Sequence, residues 1–560
     1  MKFALPLLLC FLANAFLAAQ YQPPLSGPLL ITGTFGELRS NHFHGGLDFR
    51  APVGTPVRAV NDGFISRVIV SPGGFGQAVY VHHPDGKRSV YGHLEVLAPA
   101  IEDTIRSLQY ASESFAIDFR PDSTAFPVRA GAVIGGVGNR GYSFGPHLHF
   151  EIWDAATESQ LNPLSLGFAV ADTRQPSVSA VRLFSLAEDG TVSDRTTFSV
   201  SRNPLPDTIT VADPLVGLGF QAIDRQNSMP NRNGIYRASL IVDSTEVFSY
   251  RYDSIPYAKT SYVNALTDYT DYRRNSNWYY LLYAPTPDAV FWDDIRTSRL
   301  PGAIDLRSEA VRPITLIAGD FAGNESIFRT VLKWEPRTAA ETALPSGAYT
   351  YFLPRGERSI IDTAGLRLEL AADALYTDLR FHYVHLPENS ADHLSGVHQL
   401  HDDEVPLHGR ATLTIPASRT VTEAERRSAY IGRCNADGSY TSMGGQWVSE
   451  GRMQTQIGSF GDYAILLDTV PPRIRIRDFR TDLRGRSEFS LLIDDRVGGP
   501  LDFRGTVDGE WVLLEFDAKT GTLRHTFTGD EIKRGGNHEF QLRVTDARGN
   551  RSDFKRSFRR

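Results

Sequence analysis

The sequence predicts a mainly β protein: an N-terminal antiparallel sheet with one helical insertion, followed by β-sandwich modules of immunoglobulin-like character. Three observations predict it. Short runs rich in valine, isoleucine and tyrosine recur between glycine- and proline-bearing turns along most of the chain. Only one stretch, residues 98–109, spaces its apolar residues as a helix does. A segment near residue 320 recurs near residue 546. At 560 residues the chain is too long for one core, and about 150 residues per domain predicts three or four. Charged residues make up 22%, and 58 basic against 65 acidic side chains give a net charge of −7, which excludes the basic excess of a nucleic-acid binder.

Residues 1–19 read as an export signal: Lys2, then an apolar run from Phe3 to Ala19 broken only by Asn14, with small residues before Gln20. Cleavage after Ala19 or after Ala15 fits. The alternative is an uncleaved anchor, but a spanning helix needs about 20 apolar residues, so no stable membrane span is expected after cleavage. Cys10 lies inside the apolar run rather than at its end, which argues against a lipid-modified N-terminus. Cleavage leaves Cys434 alone, unable to form an internal disulfide and suited to an oxidising compartment.

Residues 20–170 form the first expected domain. Val57 to Val60, Gly63 to Val70, Gln77 to His83 and Lys87 to His93 read as strands, with turns at Asn61-Asp62-Gly63, Pro72-Gly73-Gly74 and Pro84-Asp85-Gly86. Ile101, Ile105 and Leu108 then mark one amphipathic helix, and a loop from Tyr110 to Pro127 leads back to strand at Val128. Tyr110, Phe115, Phe119 and Phe126 are spread through this insertion, which is either a surface hairpin with its own small cluster or a lid over the site described next.

Two segments about a hundred residues apart carry the chemistry: Asn41-His42-Phe43-His44-Gly45-Gly46-Leu47-Asp48 and Gly145-Pro146-His147-Leu148-His149-Phe150-Glu151. A hydrolytic zinc takes three nitrogen or carboxylate ligands and leaves a fourth position to water, and His44, Asp48 and His149 would supply that set. In a strand, the two-residue spacing of His147 and His149 puts both on one face. The pair Gly45-Gly46 allows a tight backbone path between His44 and Asp48. Tyr91-Gly92-His93-Leu94 ends another strand near the same edge. A lone histidine is by default a surface or hydrogen-bonded structural residue, and His82 and His83 are read so; five matched positions in order outweigh that default.

His44-x-x-x-Asp48, Tyr91-Gly92-His93-Leu94 and Gly145-Pro146-His147-Leu148-His149-Phe150-Glu151 resemble the three signature segments of the lysostaphin/LytM-type zinc metallopeptidases, which cut peptide bonds in bacterial peptidoglycan. Phe35 to Arg39 and the glycine-rich Gly135 to Gly145 agree with it, and the likeness covers roughly residues 28 to 168. The resemblance implies the duplicated hybrid motif fold and one Zn2+ bound by His44, Asp48 and His149, with His93 and His147 acting beside it on water and transition state. It also implies peptidoglycan peptides as substrate and a periplasmic, envelope or extracellular location in a bacterium. Two histidines outside the ligand set favour catalysis over a structural site, which closes its coordination with a fourth protein ligand.

Downstream, residues 171–334 and 470–560 are expected to be immunoglobulin-like modules, because each ends in a strand, a Gly-Asn turn and a last strand: Asp320 to Phe328 in one, Asp546 to Phe554 in the other. Residues 335–469 form a further β-rich unit. Within it His393, His398 and His401 with Asp402 and Asp403 are read as a solvated loop rather than a second metal site. Residues 171–560 are expected to position the enzyme, through wall glycan or other envelope proteins, and a fragment of residues 20–170 to fold and act on small peptides alone. Besides the zinc endopeptidase, two readings stay open: a catalytically silent wall-binding or amidase-activating regulator on the same fold, and an adhesion or scaffold protein. Zinc content and hydrolysis of purified wall separate the first from both.

Overall fold

Alternation of apolar and polar side chains decides which face of the N-terminal sheet is buried. A computed structural model describes residues 21–560, apart from 202, 292–299, 337–349, 364, 388–391 and 530–531; the expected export signal lies outside the described residues. Strands β1 (Ile31–Gly33), β2 (Leu47–Arg50), β3 (Gly63–Val70), β4 (Gln77–His82), β5 (Lys87–Gly92), β6 (Ile117–Phe119) and β7 (His147–Asp154) lie in the order β1–β2–β7–β5–β4–β3–β6. Every neighbouring pair on this path is antiparallel. The expected antiparallel, mainly β domain is therefore what the chain forms.

The central strand β7 sets the register. Leu148, Phe150 and Ile152 are fully buried and pack with Leu47, Phe49 and Tyr91, while His147, His149 and Glu151 alternate onto the other face. Each such apolar side chain contributes about 1.5–3 kcal/mol on burial, so a one-residue slip that exchanged the two faces would be prohibitive. Core packing thus dictates where the histidines point.

Helix α1 (Pro99–Ser112) buries Ile101 and Ile105, one turn apart, beneath the sheet. It runs three residues past the expected end, to Ser112, and is capped by Glu113, which adopts a left-handed conformation and whose N–H reaches the carbonyls of Gln109 and Tyr110. The stretch expected as a loop contains β6, paired with β3 through Ile117 and Val70, and Pro127–Val128 pairs with β3 further along. This places the insertion at the far edge of the sheet, four strand spacings or about 19 Å from β7. It covers an edge strand and carries a docking surface: Tyr110 packs edge-on against Trp511 at 5.1 Å, and Glu113 pairs with Arg504. Strand β6 and the Glu113 end of the helix therefore lie away from the histidines.

One buried cluster runs through residues 21–334 without a break near 170. Phe43 packs on Tyr252 at 5.5 Å and on Phe291 at 6.1 Å. Strand β8 (Ser159–Leu161) pairs with β7 on one side and with β9 (Ser254–Pro256) on the other, so a strand from beyond residue 171 extends the N-terminal sheet. The Gln226 amide clamps β1, accepting from Ile31 N at 2.7 Å and donating to Leu29 O at 3.0 Å. Residues 171–334 thus supply part of the core that residues 20–170 pack against.

Beyond that cluster, residues 351–467 hold two five-stranded sheets around Leu413, Ile431, Phe381 and Phe460, and residues 473–559 hold two four-stranded sheets around Phe479, Phe489, Phe540 and Phe558. The histidines of the middle unit are not a solvated loop. His398 is buried in strand Val397–Leu400, bonds the Tyr383 hydroxyl at 3.0 Å and stacks on His385; His393 is buried beside Tyr440; His401 stacks on Phe381 and His382. The strand is only four residues long, too short to announce itself by alternation.

Candidate metal centre

Asp48 and His149 are directly opposed across the β2–β7 ladder, and His149 is opposed by Gly92 on its other side. That register brings three of the expected segments to one point. His44 enters from the turn before β2. Its two following glycines do not adopt left-handed backbone; they are needed for close approach, since a Cβ on Gly46 would lie 2.3 Å from Phe150 O and one on Gly45 1.8 Å from the Gln160 amide.

The donor atoms converge. His149 Nδ1 lies 2.8 Å from Asp48 Oδ1 and 3.1 Å from His44 Nε2, and His44 Nε2 lies 3.2 Å from Asp48 Oδ1. Tetrahedral zinc with ligands at about 2.0–2.1 Å sets such atoms about 3.3 Å apart, so the set fits the ion with small adjustments. All three residues are buried, at 1%, 6% and 5% exposure for His44, Asp48 and His149. Among the described residues this is the one group of three possible ligands that includes nitrogen donors.

Each ligand candidate is oriented by a partner on its other atom. His44 Nδ1 donates to Thr34 O at 2.7 Å, which leaves Nε2 as the lone-pair donor. His149 Nε2 donates to Glu151 Oε1 at 2.9 Å, leaving Nδ1; Glu151 is held in turn by Trp153 Nε1 at 2.6 Å. Arg39 Nη2 occupies Asp48 Oδ2 at 2.7 Å, so Oδ1 alone faces the centre. Such outer contacts fix tautomer and ring orientation at metal sites. Glu151 and Arg39 stand in the third motif and in the flank of the first, with no role expected of either from the sequence. The signal for Glu151 was its two-residue spacing from His149, the same period that aligns the histidines.

Charge is arranged to match. Burial pushes the His44 imidazole down to about 4, so it stays neutral, although Asp48 pulls the other way. Burial also works against a charged His149, but the bonds to Asp48 and Glu151 outweigh it and raise that ring to about 9. Burial likewise opposes ionisation of Asp48, yet His44, His147 and His149 together hold its carboxyl well below the usual range.

His93 and His147 flank the group. Their rings are 4.9 Å apart, and His93 is 5.8 Å from His149. His93 follows β5 with a φ of 63°, a conformation a β-carbon disfavours, and its Nδ1 donates to Arg140 O at 2.8 Å. His147 Nδ1 donates to Gly145 O at 2.8 Å, and its Nε2 is 3.4 Å from Asp48 Oδ1. Both rings thus turn Nε2 away from a backbone carbonyl. Burial, reinforced by His149 and His147, pushes His93 down to about 3. Phe75 stacks on His149 at 5.1 Å, walling one side, while Tyr142 and Phe144 stand exposed on the loop before β7.

All five expected site residues therefore lie in one cluster, and His82 and His83 lie outside it; His83 is buried, bonding Asp62 O and Ser89 Oγ.

Comparison with known proteins agrees with this centre. The family model described as Peptidase family M23 matches residues 42–110, and one described as a Zu5-like domain matches residues 350–468. The DD-carboxypeptidase/endopeptidase Mpg of Neisseria meningitidis serogroup B is 34% identical over 139 residues, 25% of this chain and 26% of that protein. Glycyl-glycine endopeptidase ALE-1 of Staphylococcus capitis is 34% identical over 112 residues, 20% of this chain and 24% of that protein. The matched stretch spans about a quarter of the length of these curated relatives. Among solved structures, the catalytic domain of the antimicrobial peptidase lysostaphin from Staphylococcus simulans is 25% identical, covering 25% of this chain and 93% of that one with a TM-score of 0.18. Motifs, ligand geometry and the match over residues 42–110 together make the N-terminal part of this chain similar to peptidase family M23.

Proposed function

We propose that the chain is an exported zinc metalloendopeptidase that hydrolyses peptide bonds in peptidoglycan stem peptides or cross-links. The observation that carries this reading is the convergence of His44 Nε2, Asp48 Oδ1 and His149 Nδ1 within 2.8–3.2 Å, with two further histidines beside them. The names of the relatives, a DD-carboxypeptidase/endopeptidase and a glycyl-glycine endopeptidase, support peptide-bond hydrolysis, and peptidoglycan as the substrate rests on the motif resemblance.

A zinc ion bound there supplies Lewis acidity, lowering the pKa of a coordinated water toward 7 and polarising a carbonyl. The remaining steps belong to side chains. Asp48 offers the negative charge that keeps a dication in a buried site, and Arg39 and Glu151 hold Asp48 and His149 in place. His93 and His147, each anchored through Nδ1–H, present Nε2 to the cleft. Neutral Nε2 accepts a proton from the attacking water; protonated, it donates to the developing oxyanion or to the leaving amine. Phe75 limits access of bulk water from one side.

No helix among the described residues is long and apolar enough to cross a membrane. Export to the bacterial envelope rests on the apolar run of residues 1–19 and on the motif resemblance to wall-cutting metallopeptidases. The downstream β modules serve as the surface for wall or other envelope proteins. Incubation of the zinc-loaded chain with purified sacculi, followed by mass analysis of the released muropeptides, tests the reading. New peptide termini in stem or bridge positions support it, and intact muropeptides after long digestion favour the silent regulator.

A further inference from the structure

The repeat at Asp320–Asn324 and Asp546–Asn550 has a counterpart in space that the peptidase centre does not use. In the first copy Asn324 donates N–H to Asp320 Oδ1 at 2.8 Å and Nδ2–H to Asp320 Oδ2 at 2.7 Å, while Ser326 Oγ reaches Pro176 O at 2.6 Å. In the second, Asn550 makes the same two bonds to Asp546 at 3.0 and 2.9 Å, and Ser552 Oγ reaches Pro472 O at 2.5 Å. The matching prolines belong to matching entry segments, Asp172-Thr173-x-x-Pro176 and Asp468-Thr469-x-x-Pro472, and an Asp-Arg pair follows a strand in each, Asp224-Arg225 and Asp495-Arg496. Three aspartates of each copy converge: a carboxylate oxygen of Asp172, Asp224 and Asp320 lies within 4.8 Å of those of the other two, and the same holds for Asp468, Asp495 and Asp546.

In the first copy one carboxylate oxygen and one amide oxygen are left without a partner. Asp224 is only 5% exposed, and its Oδ1 takes no hydrogen bond; Asn233, 3% exposed, leaves its Oδ1 equally unpaired. Both line a cavity of about 260 Å³ with Asp172 and Asp320, and no Lys, Arg or His side chain lines it. Burial, with the nearby charges of Asp172 and Asp320, pushes the Asp224 carboxyl up to about 7. An unpaired buried carboxylate oxygen is strongly disfavoured unless a cation or donor meets it. In the second copy Asp495 Oδ1 is likewise unpaired.

We propose that Asp172, Asp224, Asp320 and Asn233 form a site for a divalent cation of the calcium class at the junction between the peptidase sheet and the module that follows it. Only oxygen donors are present, which suits a hard ion and not zinc. Calcium takes six to eight oxygens at about 2.3–2.6 Å in flexible geometry, so oxygens up to about 4.8 Å apart can share one ion. Magnesium demands a near-ideal octahedron at about 2.0–2.1 Å. Asp172 stands where the chain enters the module, Asp224 and Asp320 on two of its loops, and the same cavity is lined by Thr34 and Phe35 of the peptidase segment. Bound cation ties all of these together, and Thr34 is the residue whose carbonyl orients His44.

The test uses the full zinc-loaded chain, freed of other divalent ions by passage over a chelating resin, and titrated with calcium chloride by calorimetry beside thermal melting. Saturable uptake with a Kd of about 1 mM or tighter is expected, with a rise in Tm that equimolar magnesium does not reproduce. Asp224→Asn should take up about one calcium fewer per chain, and Asn233→Ala should raise the Kd about tenfold or more. Should Asp224→Asn not fold, Asn233→Ala and the wild type still decide. A wild-type chain with no saturable uptake below about 10 mM calcium, or variants that bind as the wild type does, would overturn the proposal.

Discussion

Glu151 accepts a hydrogen bond from Nε2 of His149 across 2.9 Å, and so determines that Nδ1 is the nitrogen turned toward Asp48. A carboxylate behind a ligating imidazole raises its basicity and locks its tautomer, and loss of such a partner typically weakens metal binding about 10- to 100-fold. Glu151→Gln should therefore fold, since the amide can still meet Trp153 Nε1 or the ring, but bind zinc about 10–100-fold more weakly in a competition with a chromogenic chelator. Unchanged affinity would mean that the surrounding strands alone hold the ring.

His93 and His147 should separate binding from turnover. Because neither supplies one of the three converging atoms, His93→Ala and His147→Ala are expected to keep zinc while losing about a hundredfold or more in kcat, the scale of lost acid–base or oxyanion help. Metal analysis and steady-state rates on a soluble peptide read both. Loss of zinc in either variant would move that residue into the ligand set.

Much of this centre was legible in the chain because local rules governed it. Period-two spacing put His147, His149 and Glu151 on one face, and the glycine pair announced a tight approach at His44, although the reason proved to be contact with Phe150 O and Gln160 rather than backbone handedness. What escaped depended on distant partners. The insertion's fate was set by pairing of Ile117 with Val70, and the shared core by Phe43 meeting Tyr252, more than two hundred residues on. His398 was misread because a four-residue strand, buried through tertiary packing, leaves no periodic trace.

The shared core makes a prediction about fragments. Phe43 is buried between Tyr252 and Phe291 next to His44, so Phe43→Ala should cost about 3–5 kcal/mol in the full chain. A fragment of residues 20–170, which lacks those partners and the strand that extends the sheet, should be poorly folded by circular dichroism, whereas residues 20–334 should hold zinc. A 20–170 fragment that melts cooperatively and binds zinc as the full chain does would show that the interface is dispensable.

Acid should loosen the middle unit. Burial, with His385 alongside, pushes His398 down to about 4, and burial with His382 does the same to His401. Unfolded, both rings titrate near 6.5, so between about pH 6.5 and 4 the unfolded chain binds more protons and stability falls as pH falls. The Tm of the transition involving residues 351–467 should drop between pH 7 and 5, and His398→Gln should make that drop smaller. Identical pH dependence in variant and wild type would show that His398 is protonated as easily folded as unfolded.

The central claim is that one zinc held by His44, Asp48 and His149 carries the hydrolysis, and metal content measured with turnover on the same samples tests it most directly. Atomic analysis of the purified chain should find about one zinc per molecule together with cleavage of peptidoglycan peptides, and His149→Ala should lose both. Full zinc occupancy in His149→Ala, or a wild-type chain that carries zinc and leaves every peptide bond of the wall intact, would contradict the claim.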